Sequence, residues 1–151
     1  MIHLGVHPDK KVVRLEQQSF SHGYCLKDVS GRPPIFFDYK LFLGQVPLMN
    51  CCDFDAENSL SECKTLSTVL DCVKIVSVLS ESETIQESGL KILQSKDPGR
   101  FLCGYVYYCS LYLNDGKSLF VHVPDFDEKI TLEVLTNVVE KIIQEIVKQI
   151  E

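Results

Sequence analysis

The chain has 151 residues, 45% hydrophobic and 24% charged, which suits one globular domain with a single core. Lys and Arg number 15 against 21 Asp and Glu, so the net charge is −6 and a nucleic-acid-binding surface is not expected. We find neither an apolar run long enough to span a membrane nor the start of a signal peptide, and therefore expect a cytoplasmic protein.

The seven cysteines also bear on the class of protein. They stand at positions 25, 51, 52, 63, 72, 103 and 109, an odd number without a C-x-x-C pair. Because such a set fits neither a disulfide framework nor a zinc site, we expect reduced thiols, no metal and no cofactor.

The chain opens with two predicted strands. Residues 1–6 are nearly continuously apolar, which is typical of a buried parallel strand, and residues 7–11 form a polar turn. Val12, Val13 and Leu15 then indicate a second strand with Glu16 near its end. On the pattern alone, a single Glu in this position is an ordinary solvated side chain.

A less regular region follows. Residues 31–34 read Gly-Arg-Pro-Pro and predict a loop, and residues 35–43 are rich in aromatic side chains. Residues 35–43 could form a strand, a short helix or an insertion over the core, and core filling is favoured over a partner-binding patch. We interpret the adjacent Cys51 and Cys52 as packing or surface thiols.

A helical pattern begins near Ser59. Apolar residues recur at spacings of three and four, at Leu60, Cys63, Leu66, Val69, Leu70, Val73, Val76 and Leu79. Gly89 is placed to end the helical region, and residues 90–95 predict the next strand.

The most informative stretch is residues 97–108, Asp-Pro-Gly-Arg-Phe-Leu-Cys-Gly-Tyr-Val-Tyr-Tyr. The Asp-Pro-Gly segment predicts a tight turn, and residues 101–113 predict a buried helix with Cys103 in its first turn. Free backbone N–H groups at a helix start stabilise a thiolate and can bind an oxyanion. Cys103 could equally be a packed core residue.

A second stretch supplies the complementary group. Residues 119–124, Leu-Phe-Val-His-Val-Pro, predict a strand with His122 near its end. A Cys and a His on neighbouring elements of one sheet can form a nucleophile and its base, although His122 could also be a packed core residue.

The last element predicted is an amphipathic helix after Thr131, which we expect to cap it. Its apolar stripe favours a sheet-covering helix, with a coiled-coil seam as the alternative. Strands that alternate with helices predict an α/β fold with a mostly parallel sheet flanked by helices, an α/β/α sandwich. We expect one domain over residues 1–151, with residues 31–58 as an insert or loop region.

The segments around Cys103 and His122 together resemble the pyroglutamyl-peptidase I family of cysteine peptidases. Its members carry a run like D-A-G-R-[FY]-L-C-x-x-x-Y-Y and, about twenty residues on, F-[IV]-H-V-P. The segment that ends at Glu16 stands where the family has a catalytic glutamate, and residues 21–24, Ser-His-Gly-Tyr, resemble a short family loop. The resemblance covers residues 1–30 and 88–150.

The resemblance implies a thiol peptidase that removes N-terminal pyroglutamate from peptides. Cys103 would be the nucleophile, His122 the acid–base and Glu16 the group that orients the imidazole. Substrate contacts would come from Phe101, Leu102 and the backbone around Gly5 and Val6.

The same resemblance implies that the chain is N-terminally incomplete relative to the family. In the family, a portion with a G-F-G-P-F-like loop precedes the first strand of this chain. Pro98 also replaces the small residue usual in the D-A-G-R run. Two alternatives to an active peptidase therefore stay open: a weak or inactive relative that acts as a binding or regulatory protein, and an incomplete product that does not fold stably. An exposed sheet edge would favour self-association.

Overall fold

The computed structural model describes residues 1–21, 23–24, 30–31 and 64–150. In chain order the described elements are β1 (Ile2–Val6), β2 (Val12–Glu16), β3 (Gln18–Phe20), β4 (Thr65–Ser67), α1 (Cys72–Ser80), α2 (Glu83–Ser88), β5 (Lys91–Ser95), α3 (Leu102–Leu113), β6 (Leu119–Val123) and α4 (Leu132–Ile150). The strands predicted at residues 1–6, 12–16, 90–95 and 119–124 are confirmed to within a residue or two, as are the helices after Phe101 and Thr131.

Four of the strands form one sheet in the order β1-β6-β2-β5. The pairs β1–β6 and β2–β5 are parallel, which confirms the mostly parallel α/β architecture, while β2 and β6 run antiparallel. The antiparallel junction was not predicted. It places the carboxyl end of β2 beside the amino end of β6, because Glu16 pairs with Phe120.

Helices cover both faces of this sheet. On one face, side chains from α1, α2 and α4 pack against Val13 and Leu15 of β2 and Leu119 and Val121 of β6. On the other, α3 packs against Phe120. Because side chains alternate along a strand, this arrangement is the expected α/β/α sandwich.

The last helix is amphipathic, as its sequence predicts. It buries Leu135, Val138, Ile142 and Ile146 at spacings of three and four, and thereby covers the sheet. The Oγ1 of Thr131 accepts a hydrogen bond from the N–H of Val134 at 3.3 Å, which confirms the predicted cap.

The helix predicted from Ser59 is wrong over residues 64–71. Residues 65–67 form β4, which pairs with β3 in a separate two-stranded sheet. Asp71 starts α1 only afterwards, because its Oδ1 accepts a hydrogen bond from the N–H of Lys74 at 2.9 Å. Gly89 does end the helical region, in the left-handed conformation with φ of 69°.

Several predictions fall on residues that the structure does not describe. These are the interpretation of residues 32–58 as a loop or insert, the role of the Cys51–Cys52 pair, and the part of the predicted helix before residue 64. Among the described helices, none combines the length and apolar character needed to cross a membrane.

The turn before α3 is held by its own polar groups. The Oδ1 of Asp97 accepts hydrogen bonds from the N–H of Gly99 at 3.0 Å and from Nη1 of Arg100 at 2.6 Å. Gly99 has φ of 81°. The turn folds back so closely that a Cβ on Gly104 would lie 2.1 Å from the carbonyl oxygen of Gly99. Glycine at position 104 is therefore what allows the turn to sit against the helix start.

We predict that Gly104→Ala lowers the free energy of unfolding by about 1–3 kcal/mol, because the new methyl group meets backbone atoms that cannot move independently. Helix propensity alone predicts the opposite sign, a gain of roughly 0.5–1 kcal/mol. Urea denaturation measures the difference.

Gly99→Ala is the matched control. It strains a positive φ but meets no neighbouring atom within 4 Å, so we expect it to cost less than Gly104→Ala. A Gly104→Ala protein as stable as the parent would contradict the close approach.

Candidate active site

The centre of the site is a buried pair formed by Glu16 and His122. The Nδ1 of His122 lies 2.8 Å from Oε1 of Glu16, and the exposed fractions of the two side chains are 3% and 0%. An ionised carboxylate can only accept, so Nδ1–H donates and Nε2 remains as a proton acceptor. The structure thus brings together two of the three residues predicted to be catalytic.

The antiparallel junction explains how these two side chains meet. Glu16 pairs with Phe120 in the register, and His122 lies two residues farther along β6 on the same face. Diagonal neighbours of this kind are within reach of long side chains. A buried hydrogen bond thus joins the end of β2 to the second half of β6 without help from a loop.

Cys103 lies next to β1, the strand that pairs with β6 beside His122. Its Sγ is 3.2 Å from the position that a Cβ on Gly5 would occupy, and Gly5 is the register partner of His122. Cys103 also packs against the cluster that contains Phe120, whose ring centroid is 4.7 Å from that of His122. The third residue predicted to be catalytic therefore lies on the same face of the sheet as the other two.

The ionisation of Cys103 differs from the sequence-based expectation. Burial raises the pKa of the Cys103 thiol, its own backbone N–H lowers the pKa, and the Glu16 carboxylate raises it again. The helix start acts in the predicted direction, but desolvation is the larger effect. Burial therefore opposes the stabilised thiolate that the helix start alone predicts.

The segment around Gly23 and Tyr24 supports the start of α3. The hydroxyl of Tyr24 donates to the carbonyl of Phe20 at 2.8 Å, and the hydroxyl of Ser19 donates to the carbonyl of Gly104 at 2.7 Å. The guanidinium of Arg100 lies 3.7 Å from the centroid of the Phe20 ring. The residue after Cys103 is thereby fixed to the segment that follows β2.

The same segment makes one ring contact with α3 and one contact with the turn before it. The Tyr24 ring meets the Tyr105 ring edge-to-face at 5.6 Å, and Gly23 lies against the side chain of Arg100. Gly23 and Tyr24, which resemble the family's Gly-Tyr loop, thus hold the start of α3 in place. His22 lies outside the described residues.

Sequence reasoning did not identify His7 as a neighbour of the site. Its ring meets that of His122 edge-on at 5.3 Å, and its Nδ1 accepts a hydrogen bond from the N–H of Asp9 at 3.2 Å. The alternation of side chains along β1 places His7 on the same face as Gly5, and this could be seen in the sequence. Only the β1–β6 register shows that this face is the one that carries His122.

The four residues predicted to contact the substrate differ in their position relative to Cys103. Gly5 lies directly beneath Cys103 and the Phe120 ring. The side chain of Val6, by alternation along β1, lies on the opposite face, so only its backbone can serve the site. Phe101 and Leu102 directly precede Cys103 at the helix start and are exposed, at 38% and 56%.

We predict that iodoacetamide labels Cys103 faster than Cys72 or Cys109. Cys103 is partly exposed, whereas the other two thiols are buried and burial raises the pKa of each to about 11. Because the pKa of Cys103 is also raised, its labelling rate should still be rising as the pH passes 9. Peptide mapping after short exposures between pH 7 and 10 gives the three rates.

Cys109→Ser is the control, and the Cys103 rate should be the same in that variant. Equal labelling of Cys103 and Cys109, or a Cys103 rate that is constant from pH 7 to 10, would contradict this account.

Comparison with known proteins places these features in a family. Residues 1–127 match the family model described as "Putative pyroglutamyl peptidase PgaPase_1". The chain is 29% identical over 152 residues to pyroglutamyl-peptidase 1 of Homo sapiens and 25% identical to a human pyroglutamyl-peptidase 1-like protein. It spans 61% of the length of the first of these and 64% of the second.

Solved structures show the same fold. A pyrrolidone carboxyl peptidase mutant from Pyrococcus furiosus superimposes with a TM-score of 0.67 at 20% identity, over 99% of this chain and 69% of that one. The enzyme from Thermococcus litoralis gives 0.65 at 16% identity, over 99% and 66%. Because the family model matches most of this chain, the chain belongs to the pyroglutamyl peptidase family, and it shares the fold of these solved structures.

Proposed function

We propose that this chain is a cysteine-type omega peptidase that removes N-terminal pyroglutamate from peptides. The observation that carries the proposal is the buried Glu16–His122 pair, which lies beside the strand residue contacted by Cys103. A nucleophile, a base and a group that orients the base are the parts that amide cleavage by a thiol requires. The human relative named pyroglutamyl-peptidase 1 supports the choice of substrate.

The first chemical step forms a thioester. The Cys103 thiol gives its proton to Nε2 of His122 as Sγ bonds to the carbonyl carbon of the pyroglutamyl residue. The C–N bond then breaks, and the imidazolium returns the proton to the leaving amine. The N–H of Cys103 at the helix start is the donor we assign to the transient oxyanion.

The second step releases pyroglutamate. His122 takes a proton from water, the hydroxide oxygen bonds to the thioester carbon, and the C–S bond breaks as Sγ recovers its proton. Glu16 holds the imidazole with Nδ1–H towards its carboxylate in both steps, so that Nε2 always faces the reaction as base or acid.

The raised pKa of Cys103 determines how the first step begins. Burial favours the neutral thiol, so the resting enzyme does not rely on a preformed thiolate. We therefore place proton transfer to His122 in the same step as attack on the carbonyl. In this form of the reaction the base is indispensable, whereas the group that orients it can be replaced in part by packing.

We predict that Cys103→Ala and His122→Ala each lower kcat/KM for a fluorogenic pyroglutamyl amide by about 10³-fold or more, and Glu16→Gln by less. A Gln at position 16 keeps an acceptor oxygen for Nδ1–H but loses the negative charge. Cys109→Ser, a buried thiol on the same helix, is the control that should retain activity.

Equal losses for Glu16→Gln and His122→Ala would show that the two roles are wrongly assigned. A parent chain that binds pyroglutamyl peptides without cleaving them would favour the alternative, an inactive relative that acts as a binding or regulatory protein. Phe101 and Leu102, two of the predicted substrate contacts, are exposed to solvent, and this observation favours the alternative.

We propose in addition that the chain self-associates through β1 and acts in the cytoplasm. In the described four-stranded sheet β1 and β5 are the two edge strands, and β1 is the more apolar one, because it exposes Leu4 and Val6 at 55% and 61% whereas β5 exposes the charged Lys91. An uncovered apolar edge strand pairs readily with another chain. Reduced thiols at Cys72, Cys103 and Cys109 fit a reducing compartment.

We predict a particle mass above that of the 17.1 kDa monomer in light scattering. Leu4→Lys should reduce the mass, because a charge on an edge strand opposes pairing. Leu93→Lys, on the other edge strand, is the control and should have no effect. A monodisperse parent monomer would contradict the proposal.

A further inference from the structure

The hydroxyl of Tyr107 connects the helix that carries Cys103 to the strand that carries Glu16. It donates a hydrogen bond to the backbone carbonyl of Glu16 at 2.6 Å. Tyr107 lies one helical turn after Cys103, so the two side chains lie on the same face of α3. Tyr107 is completely buried, and its ring packs against Phe120 at a centroid distance of 5.9 Å.

The same hydroxyl also lies close to β6. The carbonyl oxygen of Ser118, the residue before β6 begins, is 3.5 Å away. One phenol group thus stands where three elements meet: α3 with the nucleophile, β2 with the orienting carboxylate, and β6 with the base. Burial raises the pKa of Tyr107, so the hydroxyl remains a donor at any working pH.

The carboxylate of Glu16 is held mainly by its hydrogen bond with His122. Its Oε1 accepts from His122, whereas Oε2 is buried without a hydrogen-bond partner in the part of the chain that the structure describes. The direction of the carboxylate therefore depends on the backbone of residue 16, which pairs with Ser95 of β5 and Phe120 of β6 in the sheet. Tyr107 contacts that backbone at the carbonyl of the same residue.

We propose that Tyr107 is a positioning residue that sets the Glu16–His122 pair relative to Cys103. The inference rests on the proposed peptidase function for its kinetic consequences and on the geometry alone for its structural ones. Loss of the hydroxyl leaves the ring in place but removes its contact with the Glu16 carbonyl, so the carboxylate and the imidazole can shift by a fraction of an ångström while β2 stays paired with β5 and β6. Shifts of about 1 Å at a reacting centre cost up to roughly 10²-fold in rate.

The test variant is Tyr107→Phe, and its matched control is Ser118→Ala. The hydroxyls of Ser118 and Ser110 are 2.8 Å apart and form another buried polar link between α3 and the start of β6. Ser118→Ala therefore removes a buried hydrogen bond that α3 makes to the start of β6, without touching Glu16 or the link from α3 to β2. Both variants should lose similar stability, measured by urea denaturation.

The first measurement does not depend on activity. An imidazole N–H bonded to a buried carboxylate gives a proton resonance far downfield of the amides, and absence of the signal from His122→Ala assigns it. We expect Tyr107→Phe to shift or broaden this resonance and Ser118→Ala to leave it unchanged. An unchanged resonance in Tyr107→Phe would overturn the proposal.

The second measurement is hydrolysis of a pyroglutamyl amide. Tyr107→Phe should lower kcat about tenfold or more with KM nearly unchanged, and Ser118→Ala should have no such effect. Equal kinetics for the two variants would overturn the proposal. If the parent chain has no turnover, the peptidase assignment fails, and the resonance still decides whether Tyr107 positions the pair.

Discussion

The hydrogen bond between Glu16 and His122 is the interaction on which the site depends. Two ionisable side chains are buried together, and burial is tolerated because each is the partner of the other. Removing either would leave an uncompensated polar group inside the sandwich. The antiparallel pairing of β2 with β6 is what allows the contact, since it sets the two side chains diagonally on one face of the sheet.

The position of Cys103 relative to this pair is set by several local contacts. Asp97 closes the turn, and Gly104 lets the turn approach the helix. Ser19 ties the helix to β3, and Tyr107 ties it to the end of β2. None of these residues reacts in the proposed mechanism. Together they fix where the first turn of α3 stands over Gly5, and that placement determines whether Cys103 and His122 can act on one carbonyl.

Much of this arrangement could be predicted from the sequence. Strand and helix periodicities placed most of the main elements, and the motifs around Cys103 and His122 identified the family. The turn, the Gly89 helix end and the Thr131 cap followed from local chemistry. These features depend on neighbours within a few residues, which a single sequence displays directly.

The remainder depended on contacts between distant parts of the chain. Residues 65–67 continue a helical pattern, yet they pair as a strand with residues 18–20. The direction of β2 against β6 has no local signature. The contact made by Tyr107 was not predicted, because its partner, the Glu16 carbonyl, lies 91 residues away. Burial, which raises the pKa of Cys103 against the effect of the helix start, also depends on distant parts of the chain.

The central claim, that Cys103 shares one site with the Glu16–His122 pair, is tested most directly by coupling between the thiol and the imidazole. The measurement is the rate of Cys103 alkylation against pH in the parent chain and in His122→Ala, read by peptide mapping. If the two residues share a site, the variant's Cys103 should react more slowly at neutral pH, with its profile displaced to higher pH. Superimposable profiles would contradict the account.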